Sequence, residues 1–100
     1  MRNTQQKPTE NRAYVLIDAE ESKASEVAAI LHNRSGITMA DVVNGPYRVI
    51  AVVEDSNISA IAKTILIDIK KLSGVRDIIV YLATPDERAN HLSPSTKVTQ

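Results

Sequence analysis

The residues best suited to chemistry form the stretch Asn44-Gly45-Pro46-Tyr47-Arg48. After Gly45-Pro46, the backbone N–H groups of Tyr47 and Arg48 are suited to face a carboxylate, and the Arg48 guanidinium is a bidentate partner for the same anion. The alternative is an ordinary hairpin in which Arg48 pairs with a cross-strand acid such as Asp41. Tyr47 either forms a wall of the pocket or covers an interface. The stretch is a candidate ligand-binding site, and the sequence leaves the ligand open.

No other group of residues in the sequence predicts catalysis or metal binding. His32 lies beside an apolar helical stripe without a nearby Cys, second ordered His or carboxylate cluster, and His91 lies in a polar tail. Glu20-Glu21 and Glu54-Asp55 are typical of caps and loops, while Lys70-Lys71 suits the C-terminal end of a helix dipole. We therefore expect no catalytic residue, no metal site and no cofactor.

The composition excludes several classes of function. The 12 basic and 12 acidic residues give a formal net charge of zero, so the chain lacks the basic field that direct nucleic-acid binding requires. Cysteine is absent, which rules out disulfides and thiolate sites and suits a cytoplasmic location. The polar N-terminus predicts no signal peptide, and no apolar run approaches the ~20 residues that a membrane span needs.

The apolar runs and turn-forming residues lie within residues 12–84, which we predict to be a single domain. Polar tails lie on both sides of it. Residues 1–11 are predicted to be disordered, and residues 85–100, which contain Pro85 and Pro94, are predicted to be mobile. The Asn-Gly-Pro sequence predicts a turn, because Gly tolerates positive φ and Pro fixes its own φ. The predicted strands cover residues 12–19, 37–43, 47–54 and 75–84.

Two amphipathic helices separate these strands. Ser22 or Ser25 is expected to cap the first helix, and Asp55-Ser56-Asn57 supplies capping side chains for the second. Each helix ends at a Ser-Gly pair that directly precedes a strand, Ser35-Gly36 in the first half and Ser73-Gly74 in the second. The apolar positions have helical spacing: Ala24, Val27, Ala28 and Leu31 in the first helix, and Ile58, Ile61, Ala62, Ile65, Ile69 and Leu72 in the second.

The element order β-α-β-β-α-β predicts an α+β, ferredoxin-like fold, with a four-stranded antiparallel sheet and both helices on one face. The other face would then be bare, yet the strands are apolar on both sides. We therefore predict that a second subunit packs sheet to sheet. The residues expected to oppose one another are Val15 and Ile17 against Tyr14 and Leu16, Val49, Ala51 and Val53 against Ile50 and Val52, and Ile78, Val80 and Leu82 against Ile79 and Tyr81.

Residues 12–84 resemble the effector-binding (RAM) domain of the Lrp/AsnC regulators. The resemblance rests on Tyr14-Val15-Leu16-Ile17, the Ser-Gly-Ile before the second strand, Asn44-Gly45-Pro46-Tyr47 and Leu72-Ser73-Gly74-Val75. It implies a dimeric α/β barrel that often assembles into higher oligomers. It also implies that an amino acid or a related small effector binds near the hairpin, at contacts between dimers.

Two departures from that family pattern affect the interpretation. Family regulators carry an N-terminal helix-turn-helix domain, whereas the first strand here is predicted to start near residue 12, so a stand-alone version of the domain is expected. The family hairpin has an Asp after its Tyr, and this chain has Arg48. If that Asp normally holds an effector amino group, Arg48 cannot, and a different anion or no ligand is expected.

Three functional hypotheses follow, and the first is preferred. The chain is a cytoplasmic homo-oligomer that senses a small amino-acid-like effector and modulates transcription through a partner regulator. The second hypothesis is a small dimeric α/β barrel enzyme, a cofactor-free oxygenase or isomerase, although only His32 is available for acid–base chemistry. In the third, the fold serves as a ligand-free assembly or adaptor subunit.

Overall fold

The computed structural model describes residues 10–83 and contains four strands and two helices in the predicted order. Strand β1 (Asn11–Ala19) leads through a 3-10 turn (Glu21–Lys23) into helix α1 (Ala24–His32). Strands β2 (Ile37–Val42) and β3 (Val49–Asp55) form the central hairpin. Helix α2 (Ile58–Lys63) continues without a break as a π-helix (Thr64–Ile69), and β4 (Val75–Ala83) closes the described part of the chain.

The four strands form one antiparallel sheet in the order β2-β3-β1-β4. This is the ferredoxin-like arrangement predicted from the element order. Because β1 lies between β3 and β4, Ile17 is paired with Val49 on one side and with Ile78 on the other. The sheet therefore brings the end of β1, the hairpin and the start of β4 to the same end of the molecule.

The hydrophobic core lies between the two helices and one face of the sheet. Its strand residues alternate along β1 and β3 as expected, and Val15, Ile17, Val49 and Ala51 are completely buried. Helix α1 contributes all four of its predicted apolar positions, Ala24, Val27, Ala28 and Leu31. Within residues 10–83, no helix is long and apolar enough to cross a membrane.

The second helix only partly follows its predicted apolar stripe. Ile61, Ile65 and Ile69 are buried and Leu72 is half-buried against the core, but Ile58 and Ala62 are exposed. Asn57 caps this helix as expected, because its side-chain oxygen accepts the Ser59 N–H at 2.8 Å. The helical period therefore predicted burial correctly for the residues that face the sheet, but Ile58 and Ala62, which were also predicted to be buried, are not.

Several predicted boundaries and caps differ from the structure. Neither Ser22 nor Ser25 caps α1, because the 3-10 turn precedes the helix and no side chain accepts a hydrogen bond there. Strand β1 starts at Asn11, one residue before its predicted start, and β3 starts at Val49 rather than at residue 47. The remaining tail predictions, for residues 1–9 and for 85–100, lie outside the described residues, as does His91.

Candidate functional site

The residues between β2 and β3 form an irregular loop rather than a tight two-residue turn. Its base is closed by a hydrogen bond from Val43 N–H to the Arg48 carbonyl at 2.7 Å. Asn44 and Pro46 are exposed, whereas Gly45, Tyr47 and Arg48 are half-buried. Gly45 does not have a positive φ, and a Cβ there would meet no atom within 4 Å. The loop therefore does not use glycine for the reason that the sequence suggested.

The backbone of this loop leaves hydrogen-bond donors available. Within residues 10–83, the Val43–Arg48 bond is the single backbone hydrogen bond across the loop, and no other protein group accepts from Tyr47 N–H or Arg48 N–H. Backbone N–H groups of this kind need an acceptor, from water or from a ligand. These two amides belong to adjacent residues of the loop, and the second residue also carries a guanidinium, so the hairpin contains donors of the kind that a carboxylate accepts from.

Arg48 pairs with Glu21 and not with Asp41, the partner proposed from the sequence. Its Nη2 atom lies 3.6 Å from Glu21 Oε1, and the two side chains are 36% and 80% exposed. Asp41 instead lies opposite Ile50 in the β2–β3 register. An ion pair this long and this exposed contributes about 1 kcal/mol or less. Glu21 is therefore a weak partner that a ligand carboxylate can replace.

The turn that carries Glu21 is itself held against the second half of the molecule. Glu20 N–H donates to the Gly74 carbonyl at 2.8 Å, and Lys23 Nζ donates to Ser73 Oγ at 3.2 Å. These contacts fix the 3-10 turn beside the joint between the second helix and β4. The sequence indicated the hairpin, but it did not indicate Glu21, because that contact depends on the 3-10 turn after β1, which the sequence did not predict.

The other groups considered for chemistry have structural roles or are exposed. Glu54 pairs with Arg12 on the neighbouring strand, and Asp55 accepts the Asn57 N–H at 2.9 Å before the second helix. His32 is exposed at the end of α1. No group of three His, Cys, Asp or Glu residues in the described part of the chain is arranged to hold a metal ion.

Arg12 and Tyr14 begin a second feature, the open face of the sheet. The pKa of Arg12 is raised by a hydrogen bond to the Tyr14 hydroxyl and then by its hydrogen bond to Glu54. Beyond this polar edge the face is apolar, with Tyr14 37% and Tyr81 61% exposed. Two rows cross the strands on this face: Met39, Val52, Tyr14 and Tyr81 in one, and Asp41, Ile50, Leu16 and Ile79 in the other, with the exposed Asp41 at the β2 edge.

No protein-family model and no curated protein matches this sequence significantly. Solved structures do match it in three dimensions. The chain is similar to hypothetical protein PHS023 from Pyrococcus horikoshii, with a TM-score of 0.69, 25% identity, and coverage of 73% of this chain and 88% of that one. It is also similar to PF0864 from Pyrococcus furiosus, described as a transcriptional regulatory protein and member of the AsnC family, with a TM-score of 0.63, 21% identity, and coverage of 80% and 54%.

A third similar structure has a different role. The Tat proofreading chaperone NapD of Escherichia coli matches with a TM-score of 0.65 at 16% identity, and the match covers 91% of this chain and 87% of NapD. At identities this low the likeness shows a shared ferredoxin-like fold and nothing finer. The same fold thus occurs in a regulator and in a chaperone, so function has to be argued from the site.

Proposed function

We propose that this domain binds a small effector through a carboxylate at the hairpin, and that it works as a sensing and oligomerisation module. The observation that carries the proposal is the partly exposed Arg48 side chain, whose ion-pair partner is weak and whose loop contains two backbone N–H groups without a protein acceptor among the described residues. The resemblance to the Lrp/AsnC effector-binding domain, and the similarity to an AsnC-family structure, support a regulatory use of this site.

The charge at residue 48 defines which effectors suit the site. A cation there favours the carboxylate of a ligand and offers nothing to an ammonium group. We therefore propose that Asn44, Gly45, Pro46, Tyr47 and Arg48 form the binding loop, and that a 2-oxo acid competes well with the matched α-amino acid. The output that we propose is modulation of a partner transcription regulator.

A thermal-shift screen tests ligand binding directly. A ligand that binds only the native state at 100 times its dissociation constant stabilises it by about 2.7 kcal/mol. We expect at least one amino acid or 2-oxo acid to raise the melting temperature of the full chain. If none of the twenty amino acids or their 2-oxo acids did so, the effector-binding proposal would be rejected and the adaptor hypothesis preferred.

Calorimetric titration then tests the role of Arg48. A charge-assisted hydrogen bond contributes ~1.5–3 kcal/mol, so Arg48→Ala should weaken binding by roughly tenfold to a hundredfold and leave the oligomer intact. Arg76→Ala is the matched control, because Arg76 lies at the same end of the sheet and pairs with Asp18 at 3.0 Å. Equal losses from both substitutions would indicate a general effect of positive charge and not a site at Arg48.

We also propose that the open face of the sheet packs against the same face of a second copy. Its support is the continuous apolar surface to which all four strands contribute. Val52→Asp or Ile50→Asp would place a carboxylate in that interface, where its desolvation is costly. We expect either substitution to reduce the native mass by at least half at tens of micromolar, measured by light scattering. Ser25→Asp, on the exposed surface of α1, should leave the mass unchanged, and a monomeric native protein would contradict the proposal.

The NapD similarity favours one other function, a chaperone-like adaptor without a small-molecule ligand. The enzyme hypothesis has a direct test too, since turnover of a candidate substrate that is lost in His32→Ala would support it. The stand-alone arrangement and the cytoplasmic location remain predictions from the sequence.

A further inference from the structure

Strand β4 lies at one edge of the sheet and is its least buried strand. Within residues 10–83 it pairs with β1 on one side and with no strand on the other. Helix α1 packs mainly on β2 and β3, and α2 mainly on β3 and β1, so the helix layer leaves much of β4 uncovered. None of its nine residues is buried, and Val80, Tyr81 and Leu82 are 41%, 61% and 44% exposed.

The hydrogen-bond pattern of the sheet determines which backbone groups of β4 point outwards. The bond from Val43 N–H to the Arg48 carbonyl directs Arg48 towards β2, so Val49, the next residue, is directed towards β1. Its partner Ile17 is therefore directed towards β3 and away from β4. Ile78 lies opposite Ile17 in β4, and its N–H and carbonyl are accordingly on the outer edge of the sheet.

A separate contact agrees with this direction. Ile78 N–H donates to the carboxylate of Asp77, its neighbour in the chain, at 2.9 Å, as expected for a group that faces away from β1. Because the direction alternates along a strand, the N–H and carbonyl groups of Val80 and Leu82 also point outwards. Among the described residues, no hydrogen bond is made to these outward groups. They offer a second strand two donors and two acceptors.

The two edges of the sheet differ in how they are protected against pairing. Strand β2 is six residues long, carries the exposed Asp41, and has an irregularity in its register with β3. Short length, charges and bulges block the addition of a further strand. In β4 the charged residues Arg76 and Asp77 and the register shift lie at its start, and the run Ile78–Leu82 is uncharged. This run is therefore the part of the sheet edge best suited to pair with another strand.

We propose that the outer edge of β4 pairs antiparallel with β4 of a second copy, about a two-fold axis at Val80. Every residue of the uncharged run then lies opposite an apolar residue. The pairs are Val80 with its own counterpart, Ile79 with Tyr81, and Ile78 with Leu82. Cross-strand pairs of aromatic and β-branched side chains such as these stabilise antiparallel strands.

The same register matches hydrogen-bond donors to acceptors. Val80 exchanges two hydrogen bonds with its counterpart, and Leu82 N–H of each copy meets the Ile78 carbonyl of the other. These four bonds leave the contact between Ile78 N–H and Asp77 in place. Arg76 and Asp77 lie at the two ends of the paired segment, outside the apolar pairs.

The self-complementary register favours a second β4 as the partner of this edge. A two-fold contact closes at two copies, whereas pairing of β4 with the β2 edge of another copy would continue from copy to copy. The contact is also separate from the open face, because Val80 lies opposite the buried Val15, on the helix side of the sheet. A two-fold axis perpendicular to the sheet keeps both open faces on one side. Pairing at β4 is therefore compatible with packing of the open face, and the two contacts together give a tetramer.

Disulfide cross-linking of the full chain tests the register, since the chain has no cysteine of its own. At the two-fold axis the Val80 Cα atoms would lie about 5.5 Å apart, within the range of about 4.4–6.8 Å that a disulfide spans. Mild oxidation should therefore convert most of Val80→Cys into a covalent dimer. Leu82→Cys is the matched control, because Leu82 lies on the same side of β4 and is as exposed, at 44% against 41%. Its counterpart would be about 13 Å away along the strand, so its yield should be at least tenfold lower. Equal yields would overturn the proposal.

Light scattering provides an independent test that separates this contact from the open face. Val80→Lys places two like charges opposite each other at the axis, which disfavours pairing. It should halve the native mass at tens of micromolar without changing the circular dichroism spectrum. Val80→Thr keeps a β-branched side chain and should leave the mass unchanged. Val80→Lys should halve the mass whether or not Ile50→Asp, on the open face, does so.

Two results would contradict pairing at β4. The first is an unchanged native mass in Val80→Lys, or an equal loss of mass in Val80→Lys and Val80→Thr. The second is a Val80→Cys protein that forms no disulfide-linked dimer, which would leave this edge to a different extended partner.

Discussion

The two halves of this molecule, residues 11–42 and 49–83, share one pattern of elements and differ in how tightly the pattern is packed. Both halves end their helix at a Ser-Gly pair, and both glycines have a positive φ, +87° at Gly36 and +97° at Gly74. A Cβ at Gly36 would have Thr64 Oγ1 as its nearest neighbour at 3.8 Å, whereas at Gly74 it would lie 2.8 Å from Lys23 Cβ. The repeat therefore reflects a shared backbone conformation, and only the second joint is also closely packed.

The helices of the two halves differ in regularity and in how many of their apolar residues are buried. Helix α1 is regular and buries every apolar position predicted for it, whereas the second helix becomes a π-helix and exposes Ile58, Leu66 and Ile67. The wider turn is visible in the hydrogen bond from Lys70 N–H to the Ile65 carbonyl at 2.9 Å. In an α-helix, residues four apart drift by about 40°. The wider turn counteracts that drift and keeps Ile61, Ile65 and Ile69 in one buried row.

The largest expected effect is a difference in stability loss between a substitution in the first helix and one in the second. Leu31 is completely buried, so Leu31→Ala should lower the free energy of unfolding by about 2–5 kcal/mol. Ile67 is 50% exposed, so Ile67→Ala should cost less than about 0.5 kcal/mol. Urea unfolding of both variants measures the difference. A similar cost for Ile67→Ala would mean that the outer surface of the second helix is buried in the assembled protein.

The next largest effect is a difference in stability loss between alanine substitutions at the two Ser-Gly joints. Gly74→Ala should cost about 2–4 kcal/mol, because it combines the ~1–2 kcal/mol of a left-handed conformation with a contact to a Cβ that cannot rotate away. Gly36→Ala should cost only the first contribution, about 1–2 kcal/mol. The measurement is again urea unfolding. The dependence of the unfolding free energy on urea concentration should be the same in both variants, which excludes a change in the unfolded state. Equal costs would show that the close contact with Lys23 relaxes freely.

The smallest effect concerns the loop between the halves. Gly45→Ala should change the free energy of unfolding by no more than about 0.5 kcal/mol, since φ is not positive and a Cβ there is unobstructed. Ala also restricts the unfolded chain more than Gly does, which offsets part of any loss. Thermal unfolding at neutral pH checks this, and a loss above about 1 kcal/mol would mean that the loop is packed against another subunit.

The fold and most of the core were predictable from the amino-acid sequence. Alternation along the strands, the helical spacing of Ala24, Val27, Ala28 and Leu31, and the two Ser-Gly joints were sufficient, because each is a local consequence of backbone geometry. The apolar open face was predictable for the same reason, since alternation shows when a strand has two apolar sides. The burial of Ile61, Ile65 and Ile69 was equally predictable, because these residues are spaced by about one helical turn.

The surroundings of the candidate site were not predictable from the sequence. The pairing of Arg48 with Glu21 depends on the 3-10 turn that follows β1, and the two residues are 27 apart in the chain. The exposure of Val80 and Leu82 depends on where the helix layer ends above the sheet, which no periodicity encodes. Local patterns specify which way a side chain points from its own element. What it meets there is set by the order of the strands and by how far the helices reach across them.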